Sequence, residues 1–200
     1  MAVLVFLHDT YADWELGYIL SELVSPAALP GITKKRREVV TFGLSDAAVT
    51  SMGTLRVTPS TTIDRVDPDR AEALILPGGL FWSELADERL DALVGRLARR
   101  GAPVAAICAA TGYLARLGLL DAVRHTSNSV SFLKERAPDY RGDDHYVAQP
   151  AVRDGGLVTA SGLGAVEFTV EILRALDVYP PEVCDVWYRA FKHGEDPFAG

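Results

Sequence analysis

The feature that most constrains this chain is a set of short, wholly apolar runs, each giving way to a helical pattern further on. Ala2 to Leu7, Ala73 to Leu76 and Pro103 to Ile107 have no polar face, as expected of strands covered on both sides within a parallel sheet. Beyond the first, Trp14, Leu16, Ile19, Leu20 and Leu23 recur near helical spacing until Ser25-Pro26 ends the pattern. Beyond the second, Leu90, Leu93, Val94 and Leu97 share one face, and Gly101 supplies a stop. Helical spacing resumes directly after the third, from Ala109 to Leu120. With further short strands over Val39 to Leu44 and Leu55 to Thr58, the alternation predicts an open, doubly wound α/β sheet.

From Asp121 to Asp154 the pattern is less regular. Tyr146 to Gln149 and Leu157 to Ala160 read as strands around an Asp154-Gly155-Gly156 turn. Gly162 and Gly164 introduce a helix over Ala165 to Leu176, and Val183, Val186, Trp187, Ala190 and Phe191 predict a last helix at about 180–193, docked on the body. No linker or repeat interrupts the 200 residues, so one domain over 1–200 is expected.

Charge and cysteine usage narrow the function. A net charge of −7 repels phosphate backbones and anionic lipid, which argues against nucleic-acid or membrane partners. The basic run Lys34-Lys35-Arg36-Arg37, after a Pro30-Gly31 turn, reads as a solvated lead-in to the strand at Val39-Val40. No apolar run is long enough to span a bilayer, and the opening residues read as a first strand instead of a leader, so a cytoplasmic protein is expected. Cys108 and Cys184 lie far apart with no CxxC spacing, so neither a disulfide framework nor a zinc site is expected. His145 beside Asp143 and Asp144 lacks a second spaced ligand, and no metal is assigned to it.

In doubly wound sheets ligands collect at the carboxyl ends of strands. Three such ends carry reactive or permissive groups: His8 to Glu15, Pro77-Gly78-Gly79, and Cys108. Cys108 has no loop between strand and helix, so it must occupy a sharp turn where the helix N-terminus favours thiolate. Ala109, Ala110 and Gly112 are small enough for such a nucleophile elbow. The competing reading is a small hydrophobe at a strand end. Glu15, between Trp14 and Leu16, is either an exposed helix-start glutamate or a buried acid beside Cys108, with a raised pKa and a proton to donate to sulfur. Pro77-Gly78-Gly79 lacks the Gly-Lys-Ser/Thr of a phosphate loop. It suits an oxyanion site with the N–H groups of Gly79 and Ala109 as donors, lined by Gly78 and His8.

The stretch Ala105-Ala106-Ile107-Cys108-Ala109-Ala110-Thr111, with Leu76-Pro77-Gly78-Gly79, Glu15, Arg124-His125-Thr126, Thr159-Ala160-Ser161-Gly162 and Glu167-Phe168, resembles the DJ-1/PfpI (ThiJ) superfamily. The resemblance implies a flavodoxin-like sandwich of the class I glutamine amidotransferase type, a reactive Cys108 with Glu15 beside it, no cofactor, and a homodimer. His125 resembles the position where many members keep a histidine near the cysteine, which makes it the first candidate for proton transfer and His8 the second. In the PfpI protease branch a histidine follows the cysteine; Ala109 stands there here and argues against peptidase activity. The implied function is a cysteine-nucleophile enzyme acting on a small carbonyl or acyl substrate, of glyoxalase III/deglycase or amidase type. The alternative is a redox-sensing stress protein in which Cys108 oxidises to sulfinic acid.

Overall fold

A computed structural model describes residues 1–25, 35–83 and 85–197. In chain order the strands are β1 (Ala2–Phe6), β2 (Glu38–Gly43), β3 (Val49–Thr50), β4 (Arg56–Val57), β5 (Thr61–Thr62), β6 (Ala71–Leu76), β7 (Val104–Ile107), β8 (Ala151–Asp154) and β9 (Leu157–Ala160). The helices are α1 (Asp13–Val24), α2 (Glu88–Arg100), α3 (Ala109–Arg116), α4 (Val130–Arg136), α5 (Ala165–Ala175) and α6 (Pro181–His193). Among the described residues, seven strands form one sheet in the order β5-β2-β1-β6-β7-β9-β8, parallel throughout except for the β8/β9 pair. β3 and β4 form a separate hairpin. The sandwich is thus the flavodoxin-like α/β fold.

Both faces of the sheet are dry, which is why its strands show no polar alternation. Leu4, Phe6, Leu74, Leu76 and Ala106 pack with Leu90 and Leu97 of α2, Leu114 of α3 and Leu133 of α4. Their neighbours Val3, Val5, Ile75 and Ile107 point the other way, against Leu16 and Ile19 of α1, Phe168 of α5 and Trp187 of α6. Each fully buried Val, Leu, Ile or Phe among them contributes on the order of 1.5–3 kcal/mol.

Helix ends follow local chemistry. The Asp87 carboxylate caps α2 by accepting from the Arg89 and Leu90 N–H groups, and Gly101, with φ 72°, closes it. α3 stops at Arg116, short of the Leu120 expected from its apolar spacing. Gly118 adopts φ 70°, the Leu119 N–H bonds to the Leu114 carbonyl and the Gly118 N–H to Ala115, a Schellman motif that ends the helix while Leu120 stays in the core.

The expected strand at Tyr146 to Gln149 is corrected: Tyr146 makes only an isolated bridge with His125, and Ala151–Asp154 is what pairs with β9. The Gly155-Gly156 turn joins adjacent strands directly, so the residues immediately before it must supply the partner. Helix α4, starting where the Ser129 hydroxyl accepts the Phe132 N–H at 3.0 Å, lies within the stretch that read as irregular. Pro26, the Pro30-Gly31 turn and Lys34 lie outside the described residues. The rest of the basic run is anchored to the body: Lys35 pairs with Asp177, Arg36 donates to the Val24 carbonyl, and Arg37 meets Glu72 at 2.7 Å. Among the described residues no helix is long and apolar enough to cross a membrane.

Candidate active site

The order of the sheet reverses between β1 and β6, and chains leaving the two strands diverge to opposite faces, opening a crevice at their carboxyl ends. β7 ends beside them. The Ala12 N–H bonds to the Gly78 carbonyl at 3.1 Å, joining the start of α1 to the turn after β6. The Trp82 indole fixes that turn by donating to Pro77 O at 2.7 Å.

Cys108 occupies the sharp turn expected of it. Its φ of 57° and ψ of −122° are strained for any residue with a Cβ, at a cost of about 1–3 kcal/mol, and the neighbours hold it there. Its N–H bonds to Ala160 O, and its carbonyl accepts from the Thr111 N–H and, at 2.6 Å, from the Thr111 hydroxyl, itself 2.6 Å from Ser127 Oγ. Gly78 is required by proximity: a Cβ there would stand 2.7 Å from Cys108 Cβ and 2.8 Å from Glu15 Oε2.

Glu15 lies one and two helical turns before Ile19 and Leu23, on the face of α1 that the core takes, so the fold turns a carboxyl inward. Trp14, counted with the apolar spacing, instead stands more than half exposed at the crevice. Only 1% of Glu15 is accessible. Oε2 accepts the Gly78 N–H at 2.5 Å, while Oε1 is buried, has no N–H or O–H donor, and shares its surroundings with Cys108. Burial raises the carboxyl pKa to about 7, against the smaller opposing pull of Gly78 and Cys108.

The thiol departs from expectation. Burial pushes the Cys108 pKa up; the Asn128 amide and the Ala109 N–H pull it down, and the charge of an ionised Glu15 pushes it up again. The helix N-terminus therefore does not by itself yield a depressed thiol. An ionised Glu15 opposes the thiolate, so a thiolate is favoured only where Glu15 holds the proton, and the two groups titrate as one pair.

Neither histidine reaches the sulfur. His125 is completely buried: its Nδ1 lies 2.7 Å from Val123 O and its Nε2 2.6 Å from the Tyr140 hydroxyl. A carbonyl can only accept, so Nδ1 carries the proton and Nε2 accepts from Tyr140. Burial lowers its pKa, and it does not line the Cys108 cavity. The residue that does stand there is Asn128, whose Nδ2 donates to Cys108 Sγ at 3.5 Å while Oδ1 accepts the Gly162 N–H at 2.9 Å. An amide orients and donates but cannot titrate. A clue to it was available: Ser129 is a helix-cap residue before Phe132 and Leu133, which places Asn128 at a loop-to-helix junction.

His8 is likewise displaced. It is 3% exposed, stacks on Phe81 with centroids 5.0 Å apart, and sits directly behind Gly79, where a Cβ would approach its Cε1 to 2.6 Å. Gly78 spends its N–H on Glu15 and also stays out of the lining, whereas Gly79 and Ala109 both face the cavity. The cavity encloses about 430 Å³, with Cys108, Glu15 and Asn128 lining it and aromatic walls of Trp14, Trp82, Tyr113 and Phe132. No histidine is among its lining residues. Cys184 is fully buried within α6, its sulfur 3.9 Å from Tyr179 O.

Residues 1–175 match the model of the DJ-1/PfpI family. The Bacillus subtilis (strain 168) protein named uncharacterized protease YoaZ is 36% identical over 190 residues, 95% of this chain and 90% of its own. The crystal structure of DJ-1 superfamily protein Atu0886 from Agrobacterium tumefaciens is similar with a TM-score of 0.84 at 39% identity, covering 97% of this chain and 99% of that one. For the thiJ/pfpI family protein from Bacillus anthracis the TM-score is 0.89 at 36% identity, with 97% and 91% covered.

Proposed function

The chain belongs to the DJ-1/PfpI family, and from that premise we propose that it is a cysteine-nucleophile enzyme acting on a small carbonyl or acyl compound, of glyoxalase III/deglycase or amidase type. The observation that carries this reading is the contact of a strained, partly exposed Cys108 with a buried Glu15 at the mouth of an aromatic-walled cavity. The cysteine proton passes to Glu15 and the sulfur adds to the substrate carbon. The C–S bond forms from the sulfur lone pair, and the carbonyl π pair moves onto oxygen. The N–H groups of Gly79 and Ala109 receive that oxyanion, and Glu15 returns the proton to it. Glu15 thus takes the proton-transfer role first assigned to His125 or His8. The absence of histidine after Cys108, and among the lining residues, speaks against extending the word protease in the relative's name to this chain.

A second reading, redox sensing, is favoured by the donors around sulfur, since Asn128, the Ala109 N–H and protonated Glu15 would also hold the oxygens of a sulfinate. Turnover separates the two. Small 2-oxoaldehydes and activated esters should be consumed by the wild type well above the Cys108→Ala background; no excess in either class would overturn the enzyme reading.

A further inference from the structure

The Cys108 cavity runs along one face of α3, and its charge is unlike that of the rest of the molecule. Cys108, Gly112 and Arg116 recur every fourth residue and all line it. Gly112 leaves the wall open, and α4 closes against it: a Cβ at Gly112 would lie 2.9 Å from Cβ of Arg136. The guanidinium of Arg136 rests over Phe132 at 5.5 Å, and that of Arg116 lies over Tyr113 at 5.3 Å, so it points back toward the thiol end of its own helix. Among the described residues neither arginine pairs with a carboxylate; Arg116 gives one hydrogen bond, to Leu85 O at 2.8 Å, and Arg136 gives none. Glu135 shares the rim and Glu15 lies beside the thiol, so among the described lining residues two arginines face two carboxyl groups, in a chain whose total charge is −7.

Resting on the enzyme reading above, we propose that this cavity selects substrates bearing a carboxylate a short apolar spacer away from the carbon that Cys108 attacks, with Arg116 and Arg136 holding the carboxylate. Each planar guanidinium matches a carboxylate fork, and the negative charge of Glu135 and of the Glu15–Cys108 pair makes the cavity suit a monoanion better than a phosphate dianion. The aromatic walls take the apolar spacer between the two ends. An acidic surface would otherwise repel such a substrate, so the arginines also steer it to the cavity that holds the thiol.

The test uses the thiol itself, so it reads the cavity whether or not turnover occurs. N-propylmaleimide and 3-maleimidopropionate both react by adding sulfur across the ring double bond; the C–S bond forms, the neighbouring carbon takes a proton, and nothing leaves. Rates at Cys108 are followed by peptide mapping, and the ratio of acid to neutral reagent is divided by the same ratio for free N-acetylcysteinamide. In the wild type the normalised ratio should exceed about 10 at low salt and fall as salt is added. It should drop about tenfold in the Arg116→Gln/Arg136→Gln double variant. Arg136→Gln alone, which removes no hydrogen bond, should lower it at least about threefold and guards against a folding defect in the double variant. A ratio equal in wild type and variants overturns the proposal. So does inorganic phosphate protecting Cys108 from both reagents better than acetate does. A lost ratio with turnover intact sinks this proposal alone, and a retained ratio without turnover sinks the enzyme reading alone.

Discussion

Gly78 donates its N–H to Oε2 of Glu15 across 2.5 Å, which ties a buried carboxyl to the end of β6 and leaves its other oxygen for Cys108. The tie has a thermodynamic consequence. A carboxyl whose folded pKa is raised from 4.5 to about 7 favours folding most where it is protonated in both states, below pH 4.5, and that advantage is lost as pH rises through about 7. The loss amounts to about 3 kcal/mol. Glutamine keeps the acceptor for Gly78 without the charge. Glu15→Gln should therefore match the wild type in urea unfolding at pH 4 and exceed it by about 1–3 kcal/mol at pH 8. Equal stability at both pH values would mean that Glu15 is not held neutral by burial.

The same coupling fixes how the thiol titrates. The first proton to leave belongs to the Glu15–Cys108 pair, near pH 7, and the charge it leaves opposes loss of the second. Alkylation of Cys108 should rise in two steps, one through about pH 7 to a partial plateau and another well into the alkaline range. In Glu15→Gln the lower step should vanish. One unsplit titration, identical in both proteins, would show the two groups to be independent.

Asn128 and His125 exchange the roles that sequence alone assigned. Asn128→Ala removes a donor to the sulfur and should slow alkylation at pH 7 about three- to tenfold, with little loss of stability. His125→Ala strands the Tyr140 hydroxyl and opens a cavity, so it should cost about 2–4 kcal/mol in unfolding while Cys108 reacts at its wild-type rate. The reverse pattern would restore His125 to the site.

What the sequence made legible was set by backbone and periodicity. The elbow at Cys108 could be read because a buried strand meets a helix there with no spare residue, and the inward turn of Glu15 follows from Ile19 and Leu23 on the same helical face. His125 could not be placed, because a one-dimensional match to a polar stretch does not fix which of its residues turns inward. His125 turns to Tyr140 while Asn128, three positions on, lines the cavity, and that shift exchanges a titrating ring for an amide. Arg116 and Arg136 were silent for a related reason: each looks like an ordinary helix-terminal cation until α3 and α4 are brought together at Gly112.

Gly78 shows how little room the site leaves. Alanine there would bring its Cβ to 2.7 Å from the Cys108 Cβ and 2.8 Å from Glu15 Oε2, and neither can retreat: one belongs to a strained turn, the other is hydrogen-bonded to Gly78 itself. Overpacking of this kind costs about 1–3 kcal/mol. Gly78→Ala should also separate Glu15 from Cys108 and abolish the lower alkylation step, a readout that simple destabilisation would not move. A variant that is less stable yet keeps both steps would show that the glycine serves packing alone.

The two cysteines provide the last contrast. Cys108 is partly exposed and ringed by donors, whereas Cys184 is fully buried in α6 and has its own pKa raised, first by burial. Oxidation follows thiolate and access, so mild peroxide should add oxygen to Cys108 and leave Cys184 reduced. Because thiolate forms only as the Glu15–Cys108 pair gives up protons, the rate should climb with pH across pH 6 to pH 8. Sulfinate should accumulate over sulfonate in the wild type, since Asn128 and protonated Glu15 donate to its oxygens, and that preference should weaken in Asn128→Ala. Peptide mapping after a timed peroxide pulse reads all three outcomes. Oxygen found first on Cys184, or a Cys108 rate flat across that pH range, would break the link drawn between Glu15 and the reactivity of the sulfur.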